Sequence, residues 1–243
     1  MTTGEMEQAC RLIGEYGAAT LALRQRAGTD EVHAYRIAAR RLLALLALWR
    51  PLVHAPGLER RLECAVGRLS TLRDAQVYAA HFGASSRHGD APRVPMLTVR
   101  LTRWLERLRQ VPADFNPLPL FQLHLALDLA DCLAEPVPVS AGRRQRLRHW
   151  HRLRLVLKQT RYGVELLLGQ GAGESAWLAM LVEWQDRLGQ LQDSRQWLRR
   201  LDREPGHGRQ KRALKEGILC QLRQLDCRQA ELVGLRMALQ RQG

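Results

Sequence analysis

Hydrophobic positions recur every three to four residues almost from end to end of this chain, which is the spacing of amphipathic helices. Leu, Ala, Arg and Gln dominate the periodic stretches, and all four are good helix formers. The pattern predicts eight helices and an all-α fold. The first covers about 5–26 and stops at Gly28. The second starts from a Thr29/Asp30 cap and runs to about Val53, where Pro51 and Pro56 end it. The third covers about 57–82, and turn residues then mark 83–92 as a loop. A fourth spans about 95–110. Prolines 112, 117 and 119 break the pattern and read as a link between halves. Helices follow at about 119–135, 140–168, 175–203 and 208–241.

The chain contains an internal repeat. His33-x2-Arg36-x3-Arg40 recurs as His151-x2-Arg154-x3-Lys158, an offset of 118. Arg68-Leu69-x2-Leu72-x-Asp74 recurs as Arg187-Leu188-x2-Leu191-x-Asp193, an offset of 119. Two separate motifs agree to within one residue, and the helix order repeats four for four. The expected organisation is a first four-helix repeat over 1–112 and a second over 113–243.

Charge changes the picture from fold to function. The 243 residues carry 38 Lys+Arg against 24 Asp+Glu, a net +14, and only Lys158, Lys211 and Lys215 are lysine. Up to residue 112 there are 17 cations and 10 anions; beyond it there are 21 and 14, so each half holds +7. Arginine presents a planar fork of donors that suits phosphate oxygens. Such an excess points to a polyanionic partner: nucleic acid, a phosphate polymer or a membrane surface. The longest apolar run, Leu42 to Trp49, is far short of a membrane span, so a membrane is not expected among the partners. The acidic N-terminus lacks the apolar core of a signal peptide. The five cysteines are odd in number and have no zinc-type spacing, which suits a reducing compartment. A soluble, cytoplasmic protein is expected.

The repeated motif forms a stripe. At 100° per residue, Arg36 falls about −60° from His33 and Arg40 about −20°, so the three heads share one face. Val32, Ala39, Leu43 and Leu46 lie about 100° away and can pack into a core. On the second helix Arg144, His151, Arg154, Lys158 and Arg161 share a face about 25 Å long. A solvated charged face usually interleaves signs. Between Arg144 and Arg161 there is no Asp or Glu. Like charges at that density are tolerated more readily if an anion lies along them.

Other residues carry less. Each His lacks a second ligand at i+3 or i+4, so no metal is expected, and no cofactor. Asp74 and Asp193 suit carboxylates that orient arginines better than a catalytic pair, since nothing in the sequence brings them together. Gly169-x-Gly171-x-Gly173 follows a helix rather than a strand and reads as a helix stop, not a phosphate-binding loop. The six tryptophans sit in helical segments and suit core packing. Aromatic residues are only 5%, lean for a protein that stacks single-stranded bases.

The two stripes, His33-Ala-Tyr-Arg36-Ile-Ala-Ala-Arg40-Arg41-Leu and His151 to Glu165, resemble the signature helices of the CHAD family, the conserved-histidine α-helical domain. Leu72-Arg73-Asp74-Ala-Gln-Val77 and Leu188 to Asp193 resemble its two secondary motifs, with Gln76 standing where the family often has an acidic residue. The resemblance covers about 5–240. It implies two four-helix bundles related by a pseudo-twofold axis, forming one domain that binds inorganic polyphosphate in a basic groove. The implied phosphate contacts are His33, Arg36, Arg40, Arg41, His151, Arg154, Lys158 and Arg161. Some members also carry a triphosphatase domain built on a β-barrel. An all-helical pattern does not supply that barrel, so the chain is expected not to be an enzyme. Two rivals remain at this point: an RNA- or DNA-binding protein, and a metal-dependent phosphohydrolase using Asp74, Asp193 and the histidines. The oligomeric state is left open, as is the choice between residence on polyphosphate granules and transient recruitment.

Overall fold

The computed structural model describes residues 2–82, 93–112, 114–134, 141–203 and 206–241. Among them the secondary structure is eight helices and no strand: α1 Thr3–Gln25, α2 Thr29–Trp49, α3 Pro56–Phe82, α4 Thr98–Leu108, α5 Leu118–Leu133, α6 Arg143–Gly169, α7 Ser175–Leu201 and α8 Gly208–Arg241. The fold is all-α. The loop expected at 83–92 lies outside the described residues.

Local chemistry accounts for several helix ends. Thr2 and Glu5 form a reciprocal capping box at α1: the Glu5 amide donates to Thr2 Oγ1 at 3.3 Å, and the Thr2 amide donates to Glu5 Oε2 at 2.6 Å. The start of α2 differs from expectation. Its N-cap is Gly28, with no side-chain cap, and Thr29 already lies inside the helix. The same helix stops at Trp49, and Val53 beyond it is buried outside regular structure. The glycine-rich segment after α6 is a Schellman stop. The Ala172 amide donates to the Leu167 carbonyl at 2.9 Å, and the Gly171 amide to the Leu168 carbonyl at 3.0 Å. Gly171 has φ +72°, a left-handed conformation in which a side chain would be strained.

The chain forms two compact units. The first comprises 1–121 with 166–172, and the second 122–165 with 173–243. The change of unit therefore falls within α5, and the end of α6 with its turn belongs to the first unit.

In the first unit α1 packs on α2 and α4, and α2 on α3. The core holds Leu12, Tyr16, Val32, Leu42, Leu69 and Trp104, among others. Leu43, expected with that core, is half-buried instead. Several polar groups inside it are matched. Tyr16 Oη donates to the Pro95 carbonyl at 2.7 Å and lies 3.3 Å from Tyr35 Oη, while Arg24 reaches the Val94 carbonyl at 3.1 Å. These contacts hold the segment before α4 against α1. Gln8 donates to the Leu166 carbonyl at 3.4 Å, which fastens the 166–172 segment to α1.

In the second unit α7 packs on α8, and the buried indoles of Trp150 on α6 and Trp184 on α7 stack. Both find acceptors on α8: Trp150 Nε1 donates to Asp226 at 3.0 Å and Trp184 Nε1 to Glu231 at 3.2 Å. A buried indole needs such a partner. Gly163 lets α5 approach α6, since a Cβ there would stand 2.7 Å from Leu125 Cδ1.

Candidate anion-binding stripes

In the first unit the stripe occupies α2. His33 is exposed near its start, and Arg36 and Arg40 follow half-buried on the same face. Arg36 is anchored. Its Nη1 donates to the Val66 carbonyl at 2.9 Å and to Ser70 Oγ at 3.0 Å, both on α3. Arg41 departs from the stripe by about 100° around the helix. It pairs with Glu15 of α1 at 3.2 Å. That pair is well exposed and so contributes little, roughly 0–1 kcal/mol, and an anion could compete for it.

In the second unit the stripe lies on α6, with Arg144 exposed and His151, Arg154, Lys158 and Arg161 half-buried. Arg161 marks its end. Its Nε donates to Glu165 at 3.0 Å and its Nη1 to Gln185 of α7 at 3.2 Å. Gln185 in turn donates to the Leu157 carbonyl at 3.1 Å, pinning α7 along α6. The two histidines are unlike each other. Burial lowers the His151 pKa first, and Arg195, Arg154 and Arg199 lower it further; a hydrogen bond to Gln192 opposes them. The ring is therefore neutral at pH 7. His149, buried beside Trp150, is also held down, by burial and then by Arg152.

Asp74 and Asp193 are half-buried and belong to different units. Among the described residues no group of three or more His, Cys, Asp or Glu could hold a metal ion. No helix among them is long and apolar enough to cross a membrane. Five of the six tryptophans are buried, and Trp197 is half-buried. All five cysteines are free thiols, with only Cys132 buried.

The sequence model of the CHAD domain family matches residues 17–128. Residues 17–128 belong to a CHAD domain. The matched range holds the whole α2 stripe and Asp74. A solved structure of the CHAD domain from the plant Ricinus communis is similar over 97% of this chain and 90% of that one, with a TM-score of 0.63. Identity between the two is 19%, so the likeness speaks for the fold. It takes in the α6 stripe that lies beyond the family match. No curated protein matches. Arg195 and Arg199 on α7 lie outside the repeated motifs and beside the α6 stripe. The signal available was weak: Arg195 has no Asp or Glu at i±3 or i±4.

Proposed function

We propose that this chain binds inorganic polyphosphate through the α2 and α6 stripes and does not act on it chemically. The observation that carries the reading is the positive field along α6. Seven Arg and Lys residues lie between Arg144 and Arg161 with no carboxylate among them, and the surrounding arginines help keep His151 neutral. Each internal phosphate of the polymer brings about one negative charge and no base to read. Forked arginines neutralise it, and counterion release supplies the driving force. The expected place of action is the cytoplasm.

RNA or DNA would use the same charge but gains from stacking platforms, and the buried indoles do not offer one. The deciding experiment is a competition titration of long-chain polyphosphate against RNA and double-stranded DNA of equal charge at physiological salt. Tighter binding of polyphosphate is expected; equal or tighter binding of RNA overturns the reading. Phosphate release from polyphosphate in the presence of Mg²⁺ or Mn²⁺ would overturn its non-catalytic part.

A further inference from the structure

Helix α7 carries Gln192, Arg195 and Arg199 at spacings of three and four, which place them on one face. Gln185, on the same helix, joins α7 to α6 through Arg161 and the Leu157 carbonyl. Further along, Gln192, Arg195 and Arg199 all act on the His151 ring of α6, so the α7 face runs beside the α6 stripe. His151 Nδ1 is buried without a hydrogen-bond partner. The side-chain amide of Gln192, on the same face as Arg195, carries N–H groups that can donate to an anion.

Arg195 is the unusual member. It is half-buried, and among the described residues no carboxylate or carbonyl pairs with its guanidinium. Burial and then Arg199, one turn along α7, disfavour its charge, and the neutral His151 lies across on α6. A partly desolvated cation beside a like charge raises the energy of the empty protein. A bound anion removes that cost.

We propose that Arg195, with Arg199 and the Gln192 amide, forms a phosphate subsite in the second unit that the first unit lacks. The repeat offset of 119 supports the asymmetry. It places Gln76 opposite Arg195, Ala80 opposite Arg199 and Arg73 opposite Gln192. Gln76 is buried and donates to the Ala27 carbonyl at 3.4 Å, so the first unit holds a neutral, inward-turned amide at the position of the half-buried Arg195. The subsite takes a short run of phosphates and anchors a longer polymer there, and in that respect it rests on the polyphosphate reading.

The test uses calorimetric titration of the full chain with tripolyphosphate and with long-chain polyphosphate. The variants are Arg195→Gln, Arg195→Lys, and exposed Arg212→Gln as a charge control. Arg195→Gln should weaken tripolyphosphate binding at least tenfold, Arg195→Lys should restore part of it, and Arg212→Gln should change it less than threefold. Without ligand, Arg195→Gln should melt at the wild-type temperature or above it. Equal losses in Arg195→Gln and Arg212→Gln, or a lowered melting temperature in Arg195→Gln, would overturn the subsite. Wild-type protein that prefers RNA to polyphosphate yet still needs Arg195 for tripolyphosphate would keep the subsite and reject the polymer reading.

Discussion

Trp150 and Trp184 lie nearly parallel, with ring centroids 5.8 Å apart and planes at 17°. Each indole donates to a different carboxylate of α8, so one stacked pair ties together the three long helices of the second unit. Arg228 extends the arrangement, pairing with Glu231 and Glu183 at 2.6 Å.

Replacing Trp184 by alanine should cost about 3–5 kcal/mol, the range for a fully buried large aromatic. The carboxylate of Glu231 also loses its indole donor. A denaturant melt followed by circular dichroism measures this, and a loss under 1 kcal/mol would mean that the stack contributes nothing special.

Gly163→Ala should destabilise the second unit by roughly 1–3 kcal/mol, because the added methyl meets Leu125 at 2.7 Å. Adding Leu125→Ala should recover part of the loss by making room. If the double variant is no better than the sum of the two single ones, the close approach of α5 and α6 is not the cause.

The stripes can be separated by mutation. Arg154→Ala/Lys158→Ala should weaken long-chain polyphosphate at least about tenfold while leaving the fold intact, at ~1.5–3 kcal/mol for each charge-assisted contact. Arg40→Ala should also weaken it. Arg36→Ala differs, since its head holds Val66 and Ser70 of α3, and it should lower the melting temperature as well as the affinity. A silent first stripe at every polymer length would reduce the site to α6 alone.

Affinity for polyphosphate should fall steeply as salt rises, because binding a flexible polyanion releases its condensed counterions. Titrations at several ionic strengths check this. An affinity that does not change with salt contradicts charge neutralisation as the main contribution.

Stability should fall on mild acidification. His149 and His151 are both held below the ordinary histidine value of 6.5, chiefly by burial, so the folded protein favours neutral rings. The unfolded chain takes up protons first. The contribution is complete above the unfolded value near 6.5 and is lost as pH falls through the folded values. Melting temperatures between pH 7.5 and 5 should decline in the wild type and decline less in His149→Gln/His151→Gln. Identical slopes in the two proteins would remove these rings as the cause.

The sequence alone determined the all-α class, the approximate limits of the helices, the repeat and the two basic stripes. Each of these follows from periodicity along one helix, which decides which residues share a face whatever surrounds it. The glycine stop after α6 was equally local, since Gly171 at a left-handed turn needs no distant partner. What stands opposite a face is a different matter. Arg41 meets Glu15, Arg36 meets α3, and Arg161 is engaged by Glu165 and Gln185, so three residues of one charge pattern have three different surroundings. His33 and His151 occupy equivalent places in the repeat, yet one is exposed and the other is neutralised by burial and by arginines of a neighbouring helix. The excursion of 166–172 into the first unit hangs on the bond from Gln8, 158 residues away in sequence. Arg195 looks on the sequence like one arginine among 35; only the tertiary structure desolvates it beside Arg199. Burial and partner charge arise between helices, and helical periodicity carries no information about which helices meet.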